Sequence, residues 1–300
     1  MSPELAHLRH GAGQCECLFI GVDRKCASDS QNGAIDFDAL MQRAKETRPK
    51  LVLCGYSSYP RDYDYAAFKK VADEVGALTM ADVSHIGGLI AAGAMRNPFD
   101  AGFDVVTTTT HKTLRGPRGG LILCKKVHAQ KIDAAVFPGL QGGPHMNAVA
   151  GAAITFKKAA EPAFRDYAQK TLANAKTLAA ALIEEGATLV TGGTDNHLLV
   201  IDTVKSFGLD GRAAERALDT VGITTNKQVI PDDPRPPLRP SGVRLGTPAC
   251  TTRGMDAADM SLLGRTISRV LRAPNDPEAI GKMHKEIVEL CRRYPVPGIG

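Results

Sequence analysis

The chemistry-bearing stretch of this 300-residue chain runs Asp104-Val105-Val106-Thr107-Thr108-Thr109-Thr110-His111-Lys112-Thr113-Leu114-Arg115-Gly116-Pro117-Arg118-Gly119-Gly120. It places one lysine, Lys112, just after a β-branched run, with a glycine-rich turn behind it. Crowding by backbone and shielding from bulk water would lower the pKa of that amine and make it a nucleophile toward an aldehyde. Earlier in the chain comes Ala77-Leu78-Thr79-Met80-Ala81-Asp82-Val83-Ser84-His85, an apolar strand ending in a carboxylate. A strand-end aspartate beside a strand-end lysine suits pyridoxal phosphate chemistry. The lysine holds the aldehyde as a Schiff base and the carboxylate pairs with the pyridine nitrogen.

Taken singly, each residue has an ordinary explanation. A lysine after a strand is usually a solvated loop charge, and a strand-end aspartate is usually a helix cap. The combination carries the weight. Four consecutive threonines suit the lining of a polar cofactor site. Gly116, Gly119 and Gly120 would allow close backbone approach where a substrate reaches the ring.

These residues need a scaffold, and the hydrophobic pattern supplies one. Helices are predicted at Phe37 to Thr47 and Tyr65 to Val75. Strands are predicted at Lys50 to Cys54, Leu78 to Asp82, Asp104 to Thr109 and Gly120 to Lys125. Buried strands separated by short helices predict an α/β fold, a mostly parallel sheet with helices on both faces. Ligands in such sheets sit beyond the carboxyl ends of the strands, where Ser57, Asp82, His85 and Lys112 all fall. The loop Phe137 to Pro144 reads either as a connector or as a backbone cradle for phosphate at a helix N-terminus. A long alanine-rich helix follows from Met146 to Glu185, broken near Pro162.

Beyond Gly186 the pattern changes to a smaller α+β unit. Strands are predicted at Thr188 to Val190, His197 to Asp202 and Gly242 to Leu245. Helices are predicted at Gly211 to Val221, Ala257 to Leu271 and Pro277 to Arg293. The expected organisation is a cofactor-binding large domain over residues 1–160 and a small C-terminal domain over 161–300. Arg244 lies inside an otherwise apolar strand, where a guanidinium is costly without an anion. Its planar fork suits a carboxylate ligand, or else an internal salt bridge.

Composition narrows the class. Hydrophobic residues make up 43% and charged residues 23%, ordinary for a globular protein with a sizeable core. The net charge of +5 is spread thinly, with no basic run and no basic–aromatic interleaving, so no nucleic-acid partner is expected. No apolar run is long enough for a bilayer, and Met1 to His7 has no signal-peptide pattern, so neither membrane nor export is expected. The seven cysteines, Cys15, Cys17, Cys26, Cys54, Cys124, Cys250 and Cys291, suggest reduced thiols in a cytoplasmic protein. His7, His10, Cys15, Cys17 and Cys26 match no dependable metal spacing, so no metal is expected.

Six segments together resemble serine hydroxymethyltransferases, pyridoxal phosphate enzymes of the aspartate aminotransferase fold type. They are His7-Leu8-Arg9-His10-Gly11, Gly55-Tyr56-Ser57-Ser58-Tyr59-Pro60, Asp82-Val83-Ser84-His85, Thr107 through Gly120, Phe137 through Pro144 and Ser241 through Gly254. The resemblance covers nearly everything from about Gly33 onward. It implies that Lys112 is the Schiff-base lysine and that His111 shapes reaction specificity. Asp82 would hold the pyridinium, His85 and Ser57 would contact the ring oxygen and substrate region, and His7 would stack on the ring. Thr109 would position Lys112 or the substrate, and Arg244 would clamp the amino-acid carboxylate. Gly142 and Gly143 would offer backbone donors to the cofactor phosphate of a partner subunit, which implies a homodimer or homotetramer.

The implied reaction converts serine and tetrahydrofolate to glycine and methylenetetrahydrofolate, with pyridoxal 5'-phosphate as cofactor. Departures from the family fall at the front and in the folate contact. The family's first part, with its phosphate loop and proton-transfer tyrosine and glutamate, has no counterpart here. Met1-Ser2 resembles an internal Met-Ser, as if the start were misassigned or the gene truncated. The segment from Gly13 to Asn32 matches poorly. Leu5 and Leu8 fall in the folate contact, Leu5-Ala6 standing where a Gly-Gly pair is expected. Gln228 stands where asparagine is usual. The expectation is weak or no activity for this chain alone. Two other readings are a folate-independent β-hydroxy amino acid aldolase and a non-catalytic paralogue that dimerises with a full-length one.

Overall fold

The computed structural model describes residues 17–19 and 33–298, the first three as backbone only. In chain order, β1 (Cys17–Phe19) is followed by α1 (Phe37–Thr47), β2 (Leu51–Cys54), α2 (Tyr65–Val75) and β3 (Leu78–Asp82). A short helix α3 (Gly87–Ala91) and a 3-10 turn (Pro98–Ala101) lead to β4 (Val105–Thr109) and β5 (Gly120–Cys124). Helix α4 (Lys126–Ala134), a π-helical turn (Ala135–Leu140), α5 (Met146–Ala159) and α6 (Pro162–Glu184) come next. A 3-10 turn (Val190–Gly192) precedes β6 (Leu198–Asp202), α7 (Thr203–Phe207), α8 (Gly211–Thr220), β7 (Asn226–Gln228) and β8 (Gly242–Gly246). The chain closes with α9 (Pro248–Thr252), α10 (Ala257–Arg272) and α11 (Pro277–Arg293).

Strands β1 to β5 form one sheet in sequence order. The first four are parallel and β5 joins antiparallel, so the sheet is mostly parallel as the strand–helix alternation predicts. Helices α1 and α2 start where short polar side chains satisfy free N–H groups. Asp36 accepts from Asp38 and Ala39 at the start of α1, and Asp64 accepts from Ala67 at the start of α2. Gly76 ends α2 at φ 70°, a left-handed conformation that glycine adopts without penalty. Leu40, Val52, Phe68, Ala81, Leu89, Phe103 and Val106 are buried in the core of this sheet and its helices.

Strands β6, β8 and β7 form a separate antiparallel sheet. Its core is a second cluster around Leu182, Leu199, Ile201, Leu218, Met260, Leu271 and Leu290. Helix α6 serves both units. Phe164 and Ala168 pack into the first cluster, Leu178 and Leu182 into the second. A Cβ on Gly264 of α10 would lie 2.7 Å from the Ala181 Cβ, so that glycine sets how closely α10 approaches α6.

Several elements differ from the sequence reading. Thr188 to Val190 is not a strand: Leu189 makes one isolated bridge to Ile201, and Thr191 then turns at φ 62°. The segment before Gly142 is helical from Lys126 onward rather than a loop from Phe137. The short elements α3, α7, α9 and β7 carry too few residues for a periodic signal. No helix among the described residues is long and apolar enough to cross a membrane.

Gly88 shows how the fold holds the lysine turn. Its amide donates to the Thr113 hydroxyl (3.0 Å), which donates to the His85 carbonyl (2.9 Å). A Cβ there would lie 2.3 Å from the Thr113 backbone. Gly88→Ala is therefore expected to destabilise by about 1–3 kcal/mol through overpacking. Urea unfolding would check it, and an unchanged midpoint would show that α3 does not seat the turn.

Candidate active site

The two sheets meet where the chain after β2, at Ser57, faces Arg244 in the middle of β8. Asp82 ends β3, and the parallel register sets it beside Thr107 of β4. Its carboxylate accepts from the Ser84 amide (3.0 Å) on one oxygen and the Thr107 hydroxyl (3.0 Å) on the other. Each oxygen keeps a second lone pair for a further donor. Asp82 caps no helix, because α3 begins after Ile86. Gly55, at φ 135°, lets the chain after β2 pass β3, since a Cβ there would lie 2.2 Å from the Asp82 carbonyl oxygen. That passage brings Ser57 to the junction.

The hydroxyls of the threonine run make contacts within the fold itself. Thr109 donates to the Ser84 carbonyl (3.3 Å) and Thr110 to the Pro117 carbonyl (2.6 Å). Thr108 is buried, and its hydroxyl faces Gly87. These hydroxyls fasten the lysine turn to its own scaffold. The glycines do similar work: a Cβ on Gly116 would lie 2.7 Å from the Thr155 hydroxyl of α5 and 2.8 Å from the Thr110 carbonyl.

Lys112 is exposed, not shielded as the sequence reading expects, because it occupies the tip of the turn while Thr113 and Leu114 behind it are buried. Its pKa is still lowered, first by partial burial of the amine and then by Arg244 and Arg118, with Asp82 opposing. His85 is lowered to about 4 by burial and by the charges of Lys112 and Arg244. Arg244 comes from β8 of the other sheet. It donates to the Ser57 carbonyl (2.6 Å) and the Asn226 side-chain oxygen (3.3 Å). Among the described residues no carboxylate forms an ion pair with it, so the internal salt-bridge alternative is not found.

The structure thus brings Ser57, Asp82, His85, Thr109, Lys112 and Arg244 into one neighbourhood. His111 turns to the Arg118–Gly119 bend, its Nδ1 accepting from the Gly119 amide at 3.4 Å. Gln228 is tied to the Val229 carbonyl (3.0 Å), and Asn226, two residues earlier, meets Arg244 instead. Gly142 and Gly143 are exposed, with open space where a Cβ would stand. Leu5, His7 and Leu8 lie outside the described residues, as do the side chains of Cys15, Cys17 and Cys26.

Sequence reasoning missed two residues. Asn226 sits on a three-residue strand, and its register opposite Arg244 is invisible without the sheet. His197 is buried just before β6, with its ring stacked on His85 at 6.1 Å between centroids and 17° between planes. Its pKa is lowered to about 3 by burial and by His85, Arg244 and Lys112.

The two histidines give a signed pH prediction. Both have folded pKa values, about 4 and about 3, below the ordinary 6.5. Each therefore adds stability that is fully present above about pH 6.5 and is lost as the pH falls through the folded values. The melting temperature is expected to drop steadily from pH 7 to pH 4.5. Replacing both residues, His85→Gln with His197→Phe, should flatten that slope. An equally steep slope in the double variant would assign the acid sensitivity to other groups.

A family profile described as serine hydroxymethyltransferase matches residues 4–267. A curated relative named serine hydroxymethyltransferase, from Sorangium cellulosum (strain So ce56), is 51% identical over 265 residues. That alignment covers 88% of this chain and 62% of the relative, so the chain spans about three-fifths of the relative's length.

Proposed function

This chain belongs to the serine hydroxymethyltransferase family, and on that premise we propose that it converts serine to glycine with pyridoxal phosphate, passing the one-carbon unit to tetrahydrofolate. The observation that supports this most is the charge pattern at the sheet junction. A lysine of lowered pKa, a neutral histidine and an arginine without an anionic partner among the described residues surround one fixed carboxylate.

The donor set fits the cofactor. Asp82 keeps lone pairs free for a protonated ring nitrogen, and the Lys112 amine is the group to attach the aldehyde carbon. The bound cofactor supplies an acceptor for the electron pair left when the hydroxymethyl carbon departs. The rest is the work of the chain. Ser84 and Thr107 hold Asp82 in one orientation. Thr109 ties the lysine turn to the Ser84 carbonyl. His85 stays neutral at physiological pH, so it bonds a ring or substrate oxygen without adding a third positive charge. Arg244 spends two donors on Ser57 and Asn226, and a guanidinium has five. The remainder are available for the amino-acid carboxylate, which fixes the bond to be broken.

A homodimer follows from the same reading. Helix α4 and the π-helical turn bury none of their residues. Val127, Phe137, Leu140 and Met146 are 77%, 62%, 69% and 66% exposed, an apolar face suited to a second copy that would bring Gly142 and Gly143 to its partner's phosphate. A cytoplasmic location suits the free thiols Cys54, Cys124, Cys250 and Cys291.

The test is a visible absorbance titration with pyridoxal phosphate, followed by borohydride reduction and peptide mapping. The expected result is a saturable yellow band with the label on Lys112. Labelling scattered over surface lysines would overturn the proposal. Serine cleavage that proceeds equally well without tetrahydrofolate would favour the aldolase reading.

A further inference from the structure

His197 has no place in the mechanism above, yet it is one of the stranger residues in the molecule. It is 6% exposed, and its Nδ1 is buried with no hydrogen-bond partner among the described residues. A buried polar atom left unpaired costs free energy that a phenylalanine or leucine in the same space would avoid. Its position is also heavily fixed. The segment just before it is stapled to the segment just after Ser57. Thr194 donates to the Pro60 carbonyl (3.0 Å), the Asp195 amide to the same carbonyl (2.8 Å) and the Asn196 side chain to the Tyr59 carbonyl (2.9 Å). Arg61 returns across the junction to Asp195 (3.0 Å) and to the Thr191 hydroxyl (3.1 Å). On the other side, the His197 carbonyl accepts from the Thr247 amide (3.0 Å).

All of this delivers one flat ring from the second sheet's unit onto His85 of the first. The planes are near parallel, with centroids within the range of offset stacking. We propose that His197 is a positioning residue for His85: its ring covers the rear of the His85 ring, fixes its plane and keeps water from it. The inference rests on the proposed role of His85 beside the cofactor and substrate.

The physical consequence concerns charge. Among the described residues, the charged and titratable groups facing His85 are Lys112, Arg244 and His197 itself. The two cations disfavour a third. Burial under His197 removes the water that would stabilise a charged His85. A protonated His197 would carry an N–H donor at Nδ1, where no acceptor stands among the described residues. The pair is therefore held neutral as a unit, and His85 meets its ligand as a neutral imidazole of fixed orientation.

The experiment uses the cofactor-free chain, so it does not depend on the proposed reaction. The His85 Cε1–H resonance, assigned by its loss in His85→Gln, is followed by NMR from pH 8 to pH 5. In the native chain and in His197→Phe, which keeps a flat buried ring, it should stay constant. In His197→Leu, which fills the volume without the plane, it should titrate within that window, at least one pH unit above the native midpoint. In His85→Ala the His197 resonance should begin to titrate likewise, a reciprocal arm that leaves the core side of the pair intact. A flat His85 resonance in a folded His197→Leu chain, a flat His197 resonance in His85→Ala, or titration in His197→Phe would each overturn the proposal. With pyridoxal phosphate bound, His197→Leu should lower kcat for serine about tenfold, within the range of a mispositioned polar catalytic group, and change KM less than twofold. Failure of Lys112 to take up pyridoxal phosphate would overturn the reaction assignment while leaving the NMR result standing.

Discussion

A Lys112→Ala chain is expected to show no saturable yellow band with pyridoxal phosphate and no borohydride-trapped label on the turn from Thr110 to Gly119. Turnover of serine should fall at least about a thousandfold, because a covalently held and oriented reactant gains several orders of magnitude in effective molarity. The fold should survive. Lys112 is exposed at the tip of its turn, and the contacts that hold the turn run through Thr109, Thr110 and Thr113 instead. Far-ultraviolet circular dichroism and the melting temperature should therefore match the native chain. Lys112→Arg separates charge from chemistry. It keeps a cation beside Asp82, and so should keep the local electrostatics, yet its guanidinium stays protonated and cannot attack an aldehyde. A trapped label at another residue in either variant, with turnover retained, would show that Lys112 is not the attachment point.

What the sequence disclosed follows from how far each signal reaches. Strands β2 to β4 are legible because apolar and β-branched residues recur over four or five positions. Asp82 and Lys112 are legible because they follow directly on such runs. The meaning of the threonines is not, because a hydroxyl offers the same chemistry to a ligand as to a carbonyl. Only the fold reveals that Thr109 bonds Ser84 and Thr110 bonds Pro117. The exposure of Lys112 is equally hidden, since local sequence shows the turn and not what lies over it. Helix α4 escaped notice because it buries nothing, so its sequence carries no strong apolar stripe. His197 and Asn226 are illegible for a different reason. Their partners His85 and Arg244 lie on the other unit or on a neighbouring strand, and no periodicity connects them. Arg244 is the intermediate case. A guanidinium in an apolar strand announces that it needs a partner, but the sequence leaves open whether that partner is internal.

That open question turns into the second large effect. Arg244 is half-buried, and burial lowers its pKa, so the site bears the cost of holding a partly desolvated cation. Its two hydrogen bonds go to neutral oxygens, the Ser57 carbonyl and the Asn226 side chain. A ligand carboxylate would supply the missing negative charge, and charge-assisted bonds of this kind contribute about 1.5–3 kcal/mol. Arg244→Ala is therefore expected to raise KM for serine about 10- to 150-fold, at about 1.4 kcal/mol per factor of ten. The change in kcat should be smaller, because the carboxylate is held similarly before and during bond cleavage. Arg244→Lys should recover only part of the loss. An ammonium restores the charge but cannot reach the Ser57 carbonyl, the Asn226 oxygen and a carboxylate with one planar fork. The pyridoxal phosphate band should persist in both variants, since the proposed ring contacts are Asp82, His85 and Lys112 and do not include Arg244. An amine lacking the carboxylate, such as ethanolamine, should bind native and Arg244→Ala chains equally weakly. If ethanolamine instead lost affinity in step with serine, Arg244 would be holding the pocket's shape and not the carboxylate.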